Sequence, residues 1–172
     1  MCQKAIYPGS FDPVTYGHLD IIQRAQRLFD TVVVAVARNS QKKPLFSVKE
    51  RLDMLRKATQ GMDGVVITDF EGLVVDYARK NNLGVIIRGL RMVSDFEYEF
   101  QMALTNRKLA ADVETIFLMP SEQYSYISSR LLKETAGLGA DISCFVPGYV
   151  QEALKGKCRY LKSRAPIKLR TV

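Results

Sequence analysis

The sequence contains no tryptophan, a single histidine and only three cysteines among its 172 residues. One histidine cannot supply the paired imidazoles of the usual zinc sites. Cys2, Cys144 and Cys158 are odd in number and lack C-x-x-C spacing, which disfavours both a zinc ribbon and a disulfide framework. We therefore expect free thiols, a reducing environment and a cytoplasmic protein.

Long apolar runs are also missing. No segment approaches the roughly 20 apolar residues that a membrane span requires, and no charged segment followed by an apolar run opens the chain. We therefore expect neither a membrane partner nor a secretory signal. A chain of 172 residues with 47% hydrophobic content can bury roughly 70% of its unfolded surface in one domain.

Acidic residues are absent from the C-terminal segment. Residues 155–172 carry seven Lys and Arg, which equals the net charge of +7, and leave 18 basic and 18 acidic residues in residues 1–154. This distribution predicts a neutral folded body, residues 1–154, and a basic C-terminal extension, residues 155–172. A solvated extension is favoured over a nucleic-acid-binding arm, so we expect no nucleic-acid partner.

Three well-known active-site motifs are missing as well. No G-x-G-x-x-G follows the first predicted strand, which disfavours a dinucleotide-dependent oxidoreductase. The Walker pattern G-x-x-x-x-G-K-[ST] is absent, which disfavours a P-loop nucleoside triphosphatase. The G-x-S-x-G elbow of α/β-hydrolases is absent too.

What the chain does contain is a regular alternation of β-branched segments and helical periodicity. Strands are predicted at 4–7, 31–37, 65–68, 85–87 and 115–119, and helices at about 18–28, 47–59, 73–81, 95–110 and 128–136, with a short last helix after Pro147. This alternation predicts an α/β fold: a Rossmann-like, doubly wound, five-stranded parallel sheet in the order 3-2-1-4-5. In the fourth helix, Phe96, Phe100 and Leu104 recur at helical spacing and are expected in the core.

The polar loops all leave the carboxyl ends of the predicted strands, where ligands bind in such sheets. Helix starts at His18 and at Ser128–Ser129 would point into one cleft, and helix N-termini favour phosphate. Lys42, Lys43, Arg88 and Arg91 add positive charge there. Each cation alone is usually a solvated side chain, but their convergence favours a polyphosphate ligand. A lone histidine is by default a surface or capping residue; after Gly17, its N–H could instead stabilise a phosphoryl oxygen.

Short motifs then indicate a family. "TYGH" resembles the T/HxGH signature of the nucleotidyltransferase superfamily, and "ISSR" occupies the place of its ISSxxx(R/K) motif, with Lys133 as the terminal base. With "YPGSFDPVTYGHLDII", "KKPLF", "IRGLR", "DFEYEFQMA" and "FLMPS", the chain resembles the bacterial phosphopantetheine adenylyltransferase family from about residue 4 to residue 154. The body, residues 1–154, would then be a nucleotidyltransferase domain.

The resemblance implies transfer of AMP from ATP to 4′-phosphopantetheine, giving dephospho-coenzyme A and pyrophosphate in coenzyme A synthesis. It also implies Mg²⁺ carried by the ATP phosphates rather than by a protein metal site. A homohexamer is implied, as is inhibition by coenzyme A. The implied catalytic residues are His18, Lys42 and Arg91.

Binding residues follow from the same resemblance. Those implied for ATP are Ser10, Phe11, His18, Gly89, Leu90, Arg91, Glu99, Tyr124, Ser125, Tyr126, Ile127, Ser128, Ser129 and Arg130. Those implied for phosphopantetheine are Ser10, Lys42, Leu73, Val74, Arg88, Met102 and Asn106. Three positions depart from the family: Ser10 replaces a frequent threonine, Val74 is shorter than the usual methionine or leucine, and Arg130 replaces a small hydroxyl residue.

Two alternatives remain open at this point. A relative of the same superfamily could act on nicotinate mononucleotide or glycerol phosphate, and the acceptor pocket would distinguish it. A catalytically silent nucleotide-binding regulator is the other, although intact His18, Lys42 and Arg91 disfavour it. Tyr124 and Tyr126 could also be packing residues beside the binding loop.

Overall fold

Five parallel strands form the centre of the protein. The computed structural model describes residues 3–38 and 43–164. The strands are β1 (Lys4–Gly9), β2 (Thr31–Ala37), β3 (Val65–Phe70), β4 (Val85–Gly89) and β5 (Glu114–Leu118). They pair in parallel in the order β3-β2-β1-β4-β5. The predicted fold class and strand order are therefore confirmed.

Helices follow the strands along the chain. They are α1 (Tyr16–Gln26), α2 (Val48–Ala58), α3 (Val74–Lys80), α4 (Val93–Leu109), α5 (Ser129–Gly137) and α6 (Gly148–Arg164), with a 3₁₀ turn at Glu122–Tyr124. Within the described parts of the chain, no helix combines the length and the apolar character needed to cross a membrane.

The core lies on both faces of the sheet because successive strand residues point to opposite sides. On one face, Tyr7 of β1 and Val34 of β2 pack in the same cluster as helices α1, α2, α5 and α6. On the other face, Ile6 and Ile86 pack in the cluster that contains residues of α3. All of these strand residues are at least 94% buried. The sheet edge between the two layers is left for the loops that carry the polar motifs.

Helix α6 is longer than predicted. It begins after Pro147 as expected but runs for 17 residues, without a break at residue 154. Its Lys157 lies 2.8 Å from a carboxylate oxygen of Glu50 and 5.7 Å from the ring centroid of Phe46. The first part of the basic segment therefore packs against α2, because an ion pair and an aromatic face hold it there.

The expected core role of Phe96, Phe100 and Leu104 in α4 is wrong. These side chains are 46%, 45% and 48% exposed, and the two phenyl rings stack on each other with centroids 5.5 Å apart. A helical apolar stripe identifies a face that favours burial, but not what covers that face. Helix α4 therefore presents an uncovered apolar stripe.

Candidate active site

A cleft of about 410 Å³ opens at the carboxyl ends of β1 and β4, where the loops after these strands face each other as predicted. Strand order reverses between these two neighbours, which is the usual ligand position in such sheets. Ten of the residues predicted to bind ATP line this nucleotide cleft: Ser10, Phe11, His18, Gly89, Arg91, Glu99, Ile127, Ser128, Ser129 and Arg130.

His18 lies in the first turn of α1, but not at its start. The helix begins at Tyr16 with Thr15 as its N-cap, so the predicted start at His18 is two residues late. The reason is a capping box. The His18 backbone N–H donates to Thr15 Oγ1 over 3.3 Å, and the Thr15 N–H donates to His18 Nδ1 over 3.1 Å. Since Nδ1 accepts a hydrogen bond, the neutral ring carries its proton on Nε2.

The His18 imidazole is neutral at physiological pH. Burial lowers its pKa, and the nearby positive charge of Arg91 lowers it further, to about 4. A neutral ring with a proton on Nε2 donates one hydrogen bond and brings no net charge. The side chain is thus prepared to donate to an oxygen atom in the cleft rather than to exchange a proton at pH 7.

The loop between β1 and α1 is held in an unusual conformation. Phe11 has a φ of 46°, in the left-handed region that bulky residues rarely adopt. Its ring packs edge-on against Tyr7 and His18, with centroids 5.4 and 5.0 Å away. Arg51, only 2% exposed, donates to the Ser10 carbonyl over 2.8 Å. Packing and hydrogen bonds together therefore fix the loop beside the imidazole.

Asp12 ties this loop to two other segments. Its two carboxylate oxygens accept the backbone N–H groups of Leu45 and Phe46, each over 2.9 Å. The same carboxylate pairs with Lys133 of α5. The terminal base of the ISSxxx(R/K) motif is thus engaged with a buried aspartate. Leu45 follows the predicted catalytic Lys42 by three positions, so Asp12 anchors the chain close to it.

Arg88 is positioned by a buried acid. Its guanidinium donates to both carboxylate oxygens of Glu99 and, over 3.1 Å, to the carbonyl of Pro8. Burial lowers the pKa of Arg88, but its bonds to Glu99 outweigh that effect and hold the pKa above its ordinary value. Glu99 lines the nucleotide cleft, but its carboxylate is occupied by Arg88. Its direct contact with ATP stays a prediction.

Arg91 and the start of α5 form the opposite wall. Arg91 donates to the Ile127 carbonyl over 2.8 Å and pairs with Asp95. Ser128 is the N-cap of α5, as predicted, and accepts the Leu131 N–H over 3.1 Å. The positive end of the helix therefore lies beside a full positive charge, which favours an anionic ligand.

A second cleft of about 640 Å³ adjoins the first. The two clefts share Ser10 and Arg88. Apolar side chains predicted to contact phosphopantetheine, Leu73, Val74 and Met102, line this acceptor cleft. A polar junction thus connects the first cleft to a second one, whose lining combines these apolar side chains with the charged Arg38, Arg51 and Glu71.

Five predicted binding residues within the described parts of the chain are not among those that line these clefts. Leu90 and Tyr126 adjoin lining residues in the chain, and Tyr124 and Ser125 lie within three positions of Ile127, but none of the four lines the nucleotide cleft. Asn106 is 7% exposed and lines neither cleft; within the described residues its amide nitrogen has no hydrogen-bond partner. Lys42 lies outside the described residues.

Sequence reasoning missed Tyr7, Thr15, Tyr98 and Arg51, which line one or both clefts. The sequence did contain a signal for Arg51. A positive charge in the first turn of a helix is unfavourable because it opposes the helix dipole, so such a residue calls for another explanation. Thr15 had a signal too, since it stands three residues before the histidine of "TYGH". Tyr7 and Tyr98 had none, because aromatic residues in a strand and a helix are ordinary core candidates.

A metal ion has no ready set of protein ligands here. Residues 3–38 and 43–164 contain no group of three or more His, Cys, Asp and Glu side chains that could hold one. Asp12, Asp95 and Glu99 each pair with a cation.

Comparison with known proteins identifies the family. The phosphopantetheine adenylyltransferase of Caldanaerobacter subterraneus subsp. tengcongensis is 58% identical over 153 residues, covering 89% of this chain and 96% of the relative. The chain belongs to the phosphopantetheine adenylyltransferase family. The enzyme of that name from Dictyoglomus thermophilum is 56% identical over 90% of this chain and 94% of its own length. The family model described as Cytidylyltransferase-like matches residues 6–135.

Solved structures agree on the fold. A Vibrio parahaemolyticus protein assigned as a nicotinate-nucleotide adenylyltransferase superposes with a TM-score of 0.68 at 19% identity, over 93% of this chain and 96% of its own. A bifunctional NMN adenylyltransferase/ADP ribose pyrophosphatase from Francisella tularensis gives 0.67 at 16% identity, over 95% of this chain and 50% of its own. At such identities the likeness concerns the fold alone.

Proposed function

We propose that this protein transfers AMP from ATP to 4′-phosphopantetheine, producing dephospho-coenzyme A and pyrophosphate. The observation that carries the proposal is the pair of adjoining clefts that meet at Ser10 and Arg88, the first lined by His18, Arg91 and a helix start and the second partly by apolar side chains. Relatives that carry out this named activity match the chain over about nine-tenths of its length.

The reaction is a single in-line displacement. A phosphate oxygen of the acceptor forms a bond to the α-phosphorus of ATP, and the bond from that phosphorus to the bridging oxygen breaks. Pyrophosphate departs with the electron pair of the broken bond, so no covalent enzyme intermediate forms. Alignment of two bound substrates in this way is worth about 7–11 kcal/mol. The serines of the cleft act as ligands, not as nucleophiles.

Each wall of the nucleotide cleft has a role in this scheme. The Nε2–H of His18 donates to an α-phosphoryl oxygen as negative charge builds there. Arg91 and the start of α5, at Ser128 and Ser129, neutralise the β- and γ-phosphates. Lys42, whose role rests on the family resemblance, would offset the charge of the attacking phosphate.

The acceptor cleft accounts for the second substrate. Arg88, held in place by Glu99, binds the 4′-phosphate at the junction of the clefts, and Ser10 contributes its hydroxyl. Leu73 and Val74 contact the pantetheine arm. A short Val74 leaves more room than the longer residues common in the family, so the arm is held less tightly at this point.

We further propose that Mg²⁺ enters as part of the substrate MgATP, because Asp12, Asp95 and Glu99 are already paired with cations. Bound to the nucleotide, the ion would supply charge neutralisation on the phosphates. The protein would act in the cytoplasm, and coenzyme A would compete for the acceptor cleft as an inhibitor.

We propose a homo-oligomer, with the hexamer that the family resemblance implies as the expected state, and the exposed stripe on α4 supports an interface between copies. Phe96 and Phe100 are nearly half exposed, and a second copy of the chain would bury them. Phe96→Asp with Phe100→Asp should therefore give a smaller species in light scattering coupled to gel filtration. Leu28→Asp, which changes an exposed leucine on α1's side of the molecule, is the matched control and should leave the mass unchanged. An unchanged mass in the double variant would remove α4 from the interface.

The function is tested with a panel of acceptors. The protein is incubated with MgATP and 4′-phosphopantetheine, nicotinate mononucleotide or glycerol 3-phosphate, and pyrophosphate release is followed while mass spectrometry identifies the product. We expect dephospho-coenzyme A from 4′-phosphopantetheine only. Pantetheine without its phosphate is the matched control, since it lacks the attacking oxygen. Preference for another acceptor, or no release with any, would overturn the proposal.

A further inference from the structure

The side chain of Tyr7 contributes a polar group to the nucleotide cleft. Tyr7 of β1 is 6% exposed, its ring belongs to the core, and the residue lines the cleft. Among the tyrosines whose side chains the structure describes, only Tyr149 forms a hydrogen bond through its hydroxyl, donating to Met54 over 2.8 Å. The Tyr7 hydroxyl has no such bond with a described residue, and it is not among the fully buried unpartnered atoms. The oxygen is therefore open to the cleft and free to donate a hydrogen bond to a ligand there.

The surroundings of the hydroxyl place it among the charges of the site. A Cβ built on Gly89 would lie 3.5 Å from Tyr7 Oη, so the oxygen sits beside the backbone at the end of β4. The charges of Arg88, Arg91 and Glu99 all act on it. The Tyr7 ring packs edge-on to Phe11, which also contacts His18. The hydroxyl therefore belongs to the same cluster as the imidazole donor.

The phenol is a neutral donor. Burial raises the pKa of Tyr7 well above its ordinary value, and the positive charges of Arg88 and Arg91 offset this only in part. A hydroxyl that keeps its proton donates to a negatively charged oxygen without adding charge of its own. It would complement the guanidinium groups rather than compete with them.

We propose that Tyr7 is a further catalytic residue, whose hydroxyl donates a hydrogen bond to a non-bridging α-phosphoryl oxygen of the nucleotide. Tyr7 lines the nucleotide cleft and not the acceptor cleft, which assigns it to the nucleotide rather than to the acceptor phosphate. Together with His18 it would hold the transferred group from the side of the β1 strand. The inference rests on the proposed function, because it assumes that a nucleoside triphosphate reacts in this cleft.

The substitution Tyr7→Phe tests this with little structural disturbance. It removes one oxygen that forms no hydrogen bond with a described residue, so thermal stability should be unchanged. Loss of a hydrogen bond to a charged group should lower kcat/KM for MgATP by about 10- to 100-fold. Tyr149→Phe is the matched control: it removes a hydroxyl that bonds to Met54, so stability should fall while kcat/KM stays at the wild-type value.

Two results would overturn the role of Tyr7. A turnover of Tyr7→Phe equal to that of the wild type would show that the hydroxyl makes no contact that affects the reaction. A fall in turnover together with a fall in stability like that of Tyr149→Phe would show a structural role. The atom contacted is checked with the two diastereomers of ATP carrying sulfur on the α-phosphorus. The effect of Tyr7→Phe should shrink for one diastereomer, and an equal effect with both would contradict the assignment to that phosphate.

Failure of the proposed function would be recognisable separately. If the wild-type protein forms no dephospho-coenzyme A, the proposed function fails, and Tyr7 is judged by the affinity of the wild-type and Tyr7→Phe proteins for MgATP in calorimetry. Lower affinity in the variant supports the contact, whereas equal affinity rejects it. If the wild type is active, the kinetic comparison decides on Tyr7 alone.

Discussion

Replacing His18 with alanine, glutamine or glutamate separates its two roles. One ring nitrogen, Nδ1, accepts the Thr15 N–H and stabilises the start of α1, and the other, Nε2, is the donor that we propose for the cleft. Alanine removes both interactions. Glutamine can keep both, since its amide oxygen accepts at the cap and its NH₂ group donates. Glutamate keeps the cap, in the usual form of a capping box, but presents a negative charge instead of a donor.

The structure sets different magnitudes for stability and turnover. Loss of the bond at the cap should cost His18→Ala about 1 kcal/mol of stability, while the glutamine and glutamate variants stay near the wild type. Loss of the donor should lower kcat of His18→Ala by about 10²- to 10³-fold. His18→Glu should be at least as slow, and His18→Gln should retain more activity than either.

Denaturant unfolding gives the stabilities, and pyrophosphate release under saturating substrates gives kcat. Stability and activity should rank the variants in different orders. His18→Glu should be close to the top in stability and at the bottom in activity. If the two orders coincide, His18 acts through the helix start alone. An active His18→Glu would refute the donor role outright.

Three further predictions concern charge. The stability of the wild type relative to His18→Gln should fall as the pH drops from 6.5 towards 4, by on the order of 1 kcal/mol at pH 5. The reason is that His18 in the unfolded chain is protonated at its ordinary pKa, whereas in the folded protein it is protonated only near pH 4. A stability difference between the two proteins that does not change with pH would contradict this. Glu99→Gln should cost about 3 kcal/mol of stability and raise the KM for phosphopantetheine, because Arg88 loses its buried charged partner. Steady-state kinetics with an unchanged KM would rule out the role of Glu99 in positioning Arg88. Asp12→Asn and Lys133→Met should be coupled by about 1–3 kcal/mol in a double-mutant cycle, and additive effects would show that the pair is unimportant.

Local sequence patterns were sufficient to predict the sheet. Strands such as 31–37 are rich in β-branched residues, and the parallel order follows from their alternation with helices. The Ser-x-x-Glu spacing of Ser47 and Glu50 fits the start of α2, where the structure contains both hydrogen bonds of a capping box. The cleft at the ends of β1 and β4 followed from the same topology, because polar loops collected at one edge.

Other features depend on contacts between distant residues and could not be predicted. Asp12 and Lys133 are separated by 121 positions, and no local pattern links them. The start of α1 was missed because a histidine ring replaces the usual glutamate or glutamine at the third helical position. The length of α6 depends on Lys157 finding Glu50 on α2. In each case a specific side-chain partner, rather than periodicity, decides the structure.

The state of the lone imidazole tests the account most directly. Because the chain contains one histidine, a ¹⁵N-detected spectrum of histidine-labelled protein reports His18 without assignment. At pH 7 we expect a neutral ring protonated on Nε2, and on addition of MgATP a shift of that nitrogen while Nδ1 stays unprotonated. A ring protonated on Nδ1, or a spectrum that MgATP leaves unchanged, would contradict the assignment of His18 as the donor to the transferred phosphoryl group.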